Sequence, residues 1–322
     1  MIARIKNLLN MIPFFLKNRY LLHLYLCDMR EFLSYSCYNT ENTECIATKI
    51  RLLTHAIEKG LSLPNCRKGF GKQKILELID LCNQYENISL PNDPQSVEQA
   101  YGVIKAYVEF HNDSDSDISF IPQKAYERAL KSNISAGTKE LKGTIDPSLF
   151  KRVAEHRHSL RYFSSVPVTS KDIEVAVDLA QTAPSACNRQ PVHVYAVTTP
   201  EKINQIMKLH GGIRSLVNPS VIFVIAADRA LYQSEYERNT AYVDGGIFTM
   251  NMLYALDSVG IASCPAIWGN IPEDDKKLRD IADISPSHTI INLIVGGYYP
   301  DEAYRVAAST KRETKKILSI IN

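Results

Sequence analysis

Ala183-Pro184-Ser185-Ala186-Cys187-Asn188-Arg189-Gln190-Pro191 runs directly into the apolar stretch Val192–Val197, and this junction decides how the second half of the chain is read. Two prolines among small residues specify a rigid turn whose backbone a flat ligand can approach. The Asn188 and Gln190 amides each donate and accept hydrogen bonds. That pattern suits the edge of a planar heterocycle in which carbonyl and ring-nitrogen groups alternate. No base is placed near Cys187 by the sequence, so it reads as a packing thiol. Upstream, Thr169-x-x-Asp172 fits a capping box that opens the helix leading into the turn.

Outward from the turn, helices alternate with three short β-rich runs, Val192–Val197, Val221–Ala227 and Thr289–Val295. All three are apolar on both faces, as strands covered by helices on each side should be. This part begins after Asp146-Pro147, an N-cap followed by proline at the first helical position. Residues 1 to about 145 read instead as helical. Ile46, Ile50, Leu53 and Ile57 share one helical face, with Gly60 as the expected stop. Ile75, Leu78, Ile79 and Cys82 repeat the pattern after Gly69-Phe70-Gly71, and Val97–His111 and Lys124–Lys131 suggest two further helices. The expected fold class is α+β: a smaller all-helical domain over 1–145, then a sheet domain flanked by helices over 146–322.

The chain has 322 residues, 45% hydrophobic and 22% charged, enough to bury two cores. A net charge of +2 gives no reason to expect nucleic acid. The seven cysteines form no CxxC pair, which argues against a zinc ribbon, a dithiol centre or any other metal set. Free thiols in a reducing cytoplasm are expected. Met1 to Tyr20 carries Arg4, Lys6, Lys17 and Arg19, and no acid precedes Asp28. Its longest uncharged run, Asn7–Leu16, contains Pro13 and falls far short of the ~20 residues that span a bilayer. No signal peptide is expected there; a helix docked on its own domain is, with peripheral contact to anionic lipid as the alternative. Asp113, Asp115 and Asp117 imitate a calcium loop, but Ile118 and Lys124 stand where that loop needs Gly and Glu. Asn112–Ser119 is therefore expected to be a solvated loop.

Three further segments carry chemistry. Arg157-His158-Ser159-Leu160-Arg161 offers two guanidiniums, an imidazole and a hydroxyl within five residues, a good phosphate clamp because arginine binds phosphate oxygens bidentately. An expected helix over Glu235–Val259 holds Gly245-Gly246 in its interior at ~1 kcal/mol each. Those glycines imply close approach of a backbone or planar ligand, or a plain helix crossing. The end of the chain contributes Gly260–Cys264, Ile267-Trp268-Gly269, Gly296-Gly297-Tyr298 and Ser309-Thr310-Lys311-Arg312.

Taken together, the basic Arg157, Ser159, Arg161 stretch, the full A-P-S-x-x-N-x-Q-P turn, the Gly260–Cys264 segment, the Gly-Tyr strand end and the Ser-x-basic tail resemble the nitroreductase family. The resemblance covers roughly residues 150–320. It implies a mixed or antiparallel sheet flanked by helices and an FMN held at a homodimer interface. It also implies that the flavin accepts hydride from NADH or NADPH and passes electrons to a small-molecule substrate in a ping-pong cycle. Carried over residue by residue, Arg157, His158, Ser159 and Arg161 with Lys311 and Arg312 would bind the phosphate and ribityl chain. Pro184, Ser185, Ala186, Asn188 and Gln190 would line the ring, with Trp268 and Gly269 near its reactive edge. No general acid or base is singled out. The absence of a GxGxxG fingerprint means the nicotinamide would visit and leave.

Three departures stand out. Residues 201–219 offer no recognisable polar ring contacts, Pro265-Ala266 replaces a common aromatic, and Lys311 stands where Arg is commoner. Two other readings remain: a flavin-binding or flavin-free scaffold with a decayed site, and a flavin-dependent dehydrogenase or dehalogenase. Glu58–Leu61 and Gly69–Lys72 look like the extension of nitroreductase-like proteins linked to polysaccharide biosynthesis. The helical half offers no second catalytic set, so it is expected to shape substrate access or partner choice without being needed for flavin binding.

Overall fold

The computed structural model describes residues 16–38, 43–88, 93–112, 117–141, 143–269 and 271–321. Most of the basic amino-terminal segment, together with Asp113 and Asp115, lies outside the described residues. Helices α1 (Arg19–Tyr35), α2 (Thr43–Leu61), α3 (Lys72–Glu86), α4 (Pro94–His111) and α5 (Gln123–Leu130) build the first part of the chain. The apolar stripes do bury. Ile50, Ile57, Ile75, Leu78, Ile79 and Cys82 share one core with Tyr107, while Ile46 and Leu53 pack on its margin. Gly60 does not end α2, which runs on to Leu61. A Cβ at Gly60 would lie 2.2 Å from the Phe70 ring, so the glycine makes room for an aromatic. Gly69 and Gly71, both at positive φ, deliver that ring.

The second part opens with α6 (Pro147–His156), where the Asp146 carboxylate accepts the Ser148 N–H at 2.9 Å. At the start of α7 (Ser170–Ala180), Thr169 Oγ1 accepts the Asp172 N–H at 3.2 Å and donates to its carboxylate at 2.7 Å. There follow β1 (Val192–Val197), α8 (Pro200–His210), β2 (Val221–Asp228), α9 (Thr240–Ser258), β3 (Ile261–Ile267), α10 (Pro272–Ala282) and β4 (His288–Tyr298). The strands form one sheet in the order β1-β2-β4-β3, antiparallel throughout. β3 was not anticipated as a strand. Pro265 lies within it and is tolerated because β3 is at the sheet edge.

Alternation along β2 splits the core in two. Val221, Phe223 and Ile225 join α7 and α9, while Ile222 and Val224 join α8 and α10. Burial on both faces therefore holds for β2, whereas edge strand β1 is partly exposed. The anticipated helix from Glu235 begins only at Thr240, after a 3₁₀ turn at Glu235–Glu237. Its glycines also find an explanation. β4 bulges at Ile291, because Ile225 pairs with Asn292 while Ala226 pairs with Ile290. A Cβ on Gly245 would lie 2.6 Å from the Ile291 side chain, whereas Gly246 meets nothing within 4 Å. Gly245 thus admits a bulged strand's side chain rather than a second backbone.

The free-thiol expectation fails for one pair. Cys37, just past α1, and Cys45, in the first turn of α2, form a disulfide. The chain reversal between those helices sets their Cα atoms 5.4 Å apart, within bonding geometry. Cys27, Cys66, Cys82, Cys187 and Cys264 are free thiols.

Candidate functional site

The Ala183–Pro191 turn is wound tightly at a strained set of positions. Cys187, Asn188 and Gln190 have φ of 53°, 52° and 53°, a left-handed region that side chains other than glycine avoid. Local hydrogen bonds hold it there. Ser185 Oγ accepts the Gln190 N–H at 2.9 Å, and Asp244 Oδ1 on α9 accepts the Ala186 N–H at 3.0 Å. Beneath the turn, Arg189 is 1% exposed. Its guanidinium donates to Ala186 O and Leu231 O, forms a two-pronged pair with Glu237, and lies 5.1 Å from the Tyr232 ring centroid. Burial raises the Glu237 carboxyl pKa, but bonds from Arg189 and from the Gln233 N–H outweigh that and hold it below its ordinary value. Burial, then the Asp244 charge, push the Tyr232 phenol well up, so its hydroxyl stays protonated and donates to Asp244 Oδ2 at 3.0 Å. Pro184, Ser185 and Gln190 with Asp244 and Phe248 line a cavity of about 200 Å³.

The basic cluster sits elsewhere. Arg157 leaves α6 in extended conformation, and Ser159 bridges Ser263 on the outer edge of β3. Leu160 anchors the segment, its side chain buried and its N–H bonded to Ser263 O at 3.0 Å. Ser159 and Arg161 therefore share the opposite side, beside Cys264. Burial raises that thiol's pKa, and the Arg161 charge and Ser159 hydroxyl offset it only in part. The Arg161 guanidinium makes one weak bond, 3.4 Å to Ser159 O, and the Arg157 guanidinium has no hydrogen-bond or ion-pair partner among the described residues. His158 Nδ1 lies 3.0 Å from His156 O.

The remaining candidates divide. Trp268 is buried, its indole N–H bonded to Asp275 at 2.5 Å, so its ring belongs to the core; Gly269 beyond it is exposed. Lys311 and Arg312 lie on an exposed tail whose Arg305 N–H donates to Tyr162 Oη at 3.0 Å. Residues 201–219 serve the core through Ile203, Ile206, Met207, Ile213 and Leu216.

Register places the turn and the clamp far apart. Val192 pairs with Ala227 at one end of β2, while Ser263 pairs with Gly296, itself paired with Val221 at the other. Six residues at ~3.3 Å each separate the two levels by roughly 20 Å, and they lie at opposite edges of the sheet.

Sequence reasoning missed Arg189, Asp244 and the helical half's own contribution. Arg189 occupies an unspecified position of the turn motif, and Asp244 looks like a solvated helix residue. From α2, Arg51 donates to Arg189 O at 3.4 Å, and Thr48 donates to Ala230 O at 3.2 Å. A small cavity of about 130 Å³ brings Arg51, Thr54 and His55 to Asn188 of the turn. Only the pairing of helices across the two halves reveals that contact.

Comparison with known proteins bears on the second half of the chain. The Nitroreductase family model matches residues 154–211, the span from the basic cluster through the turn to α8. A protein of Archaeoglobus fulgidus that carries an NADH dehydrogenase/NAD(P)H nitroreductase name is 31% identical over 149 residues, covering 45% of this chain and 83% of its own. An FMN reductase (NADPH) of Bacillus subtilis is 26% identical over 161 residues, 45% of this chain and 63% of that protein. Among solved structures, a nitroreductase-like protein of Streptococcus mutans shares 18% identity at a TM-score of 0.47, over 54% of this chain and 98% of its own. One from Desulfovibrio desulfuricans, described as a nitroreductase in complex with FMN, shares 18% at 0.45, over 56% and 99%. With a relative of 31% identity matched over 83% of its length and the family model matching residues 154–211, this protein belongs to the nitroreductase family.

Proposed function

We propose that this chain is an FMN-dependent oxidoreductase that carries electrons from NADH or NADPH to a small-molecule acceptor in a ping-pong cycle. Family membership makes it an oxidoreductase, and the names of its relatives supply the flavin and the nicotinamide. The observation that carries the reading is the strained turn. Three left-handed residues cost about 1–3 kcal/mol each, and such strain persists where surrounding structure holds it for function. Here Asp244, Ser185 and buried Arg189 hold it beside an open cavity. The residues fit the cofactor: an unpartnered guanidinium, a second exposed one and a hydroxyl suit a phosphate, and the turn suits a flat ring.

When bound, FMN supplies the two-electron carrier. The chain's own groups bind and orient. Arg157, Arg161, Ser159 and His158 would hold the phosphate and ribityl chain, with Lys311 and Arg312 adding charge from the tail. Pro184, Ser185, Ala186, Asn188 and Gln190 would present the turn to the ring, and Gly269 its backbone.

We also place the site between two copies of the chain. Turn and clamp are too far apart within one chain to grip one small ligand, and a second copy resolves that. On α9, Val243, Ile247 and Met250 are exposed along one face of a helix apolar all round. The tail likewise exposes Ile317, Leu318, Ile320 and Ile321. The division near residue 145 belongs to the same proposal, supported by the separate core of the helical half. Among the described residues no helix is long and apolar enough to cross a membrane.

The visible spectrum of the purified protein tests the reading. Flavin absorbance that bleaches anaerobically on adding NADH or NADPH, and returns with an electron acceptor, is expected. A folded protein that stays colourless after incubation with FMN overturns it.

A further inference from the structure

A cavity of about 720 Å³ opens between α1 and the end of the sheet, and shares no lining residue with the cavity beside the turn. Its size falls within the range of roughly 300–1,000 Å³ that takes small organic ligands. Five aromatic rings line it: Tyr25, Phe32 and Tyr38 from the helical half, Tyr232 and Tyr242 from the sheet domain. At one end stands Arg229, whose side chain is more than nine-tenths buried. Its Nη2 donates to Glu31, but its Nη1 has no partner among the described residues. A buried guanidinium donor left unmade is rare in a folded protein and points to a missing acceptor. Arg238 lines the same cavity, and among the described residues its guanidinium bonds only the Glu235 carbonyl, at 3.2 Å. Two carboxyls also face the space, Glu235 and Asp28. Burial, then the Glu31 charge, raise the Asp28 pKa, and the Arg229 charge opposes them.

We propose that this cavity is a second ligand site, taking a small aromatic carboxylate with its ring among the tyrosines and its carboxylate toward the Arg229 and Arg238 guanidiniums. Aromatic faces accept a flat ring by offset or edge packing, and two donors in separate guanidiniums give the anion a fixed direction. The site is distinct from the flavin-binding turn and does not depend on the flavin reading. Its α1 wall comes from the helical half, which gives that half a recognition task of its own.

Calorimetric titration of the full-length protein with 2-naphthoate, and with neutral 2-naphthamide as control, tests the site. Naphthoate is expected to bind once per chain and naphthamide at least tenfold more weakly. Arg238→Ala should weaken naphthoate roughly tenfold or more. Met29→Trp, which fills the cavity from an exposed position, should abolish binding. Flavin content and helicity of both variants should match the unaltered protein. Failure of naphthoate to bind below millimolar concentration, or equal affinity for the amide, overturns the proposal. So does undiminished binding to both variants, which would seat the probe at the flavin or elsewhere. If a variant loses its fold, the acid–amide comparison on the unaltered protein still decides.

Discussion

The carboxylate of Asp244, near the start of α9, accepts the backbone N–H of Ala186 at 3.0 Å and so ties the central helix to the strained turn. Its other oxygen accepts the Tyr232 hydroxyl at 3.0 Å, and the residue is 3% exposed. One buried side chain thus fixes a loop that has no regular secondary structure to stiffen it. Asp244→Ala strands two buried donors at about 1–3 kcal/mol each. The expected result is a loss of a few kcal/mol in chemical denaturation with weakened FMN retention. Asp244→Asn keeps an acceptor for Ala186 and should lose less. Equal stability of the alanine variant and the unaltered protein would remove Asp244 from this role.

The Arg189–Glu237 pair gives the second prediction. Truncating one partner of a buried pair typically costs about 3–5 kcal/mol, because it leaves a charge without compensation. With Glu237 partly solvated, Arg189→Met should fall at or below the low end of that range. Removing both charges, as in Arg189→Met with Glu237→Gln, should recover part of the loss. The pH dependence has a definite sign. The folded Glu237 pKa lies below its unfolded value near 4.5, so its contribution is full above that value and disappears as pH falls through the folded one. Urea midpoints measured between neutral pH and pH 3 should show an acid-side loss that Glu237→Gln makes smaller.

How much was legible follows from how local each signal is. Asp146 and Thr169 cap their helices as the sequence implied, because a cap involves only neighbours two or three residues on. The turn and the basic cluster were legible as motifs. Gly60 reads as the stop of its own helix and Gly245 as a sign of an approaching backbone, planar ligand or helix, yet each is explained by a side chain elsewhere in the chain, Phe70 and Ile291. β3 escaped notice because Ser263, Cys264 and Pro265 interrupt an apolar run, and only pairing with β4 shows it to be a strand. The Cys37–Cys45 bridge depends on the angle at which α1 meets α2, which no local pattern encodes. The burial of Trp268 depends likewise on Asp275 of the next helix.

The clamp supplies a third prediction. Arg157 and Arg161 make few or no bonds of their own, so replacing either should leave the fold intact. A charge-assisted hydrogen bond contributes about 1.5–3 kcal/mol, so Arg161→Ala should lower FMN affinity roughly ten- to hundredfold. Arg157→Ala should act similarly, and the double variant should be isolated colourless. Equilibrium dialysis against FMN reads this directly. Unchanged retention in the double variant would sink the clamp.

Assembly gives the fourth. If the exposed face of α9 meets a second copy, placing a charge there desolvates it unpaired and should split the dimer. Val243→Glu with Ile247→Glu should shift light scattering from dimer to monomer and release flavin in the same sample. A native protein that is monomeric at micromolar concentration with FMN bound contradicts the shared site.

The last prediction separates the two halves. Ile50, Ile57, Leu78 and Tyr107 pack within the helical half and share no core with the sheet domain, so a fragment starting near Thr144 should fold alone. Its turn keeps Asp244, Ser185 and Glu237 as supports and loses only the Arg51 bond to Arg189 O, a long one at 3.4 Å. The carbonyls of Arg189 and Ala230 become solvated rather than stranded, so the cost is small. The fragment should stay dimeric, hold FMN within about tenfold of the full chain, and be reduced by NADH or NADPH. It should also lose the cavity walled by Tyr25, Phe32 and Tyr38, and with it binding of the aromatic carboxylate. A fragment that is folded by circular dichroism yet takes up no FMN would mean that α2, through Arg51 and its neighbours at Asn188, is part of the flavin site itself.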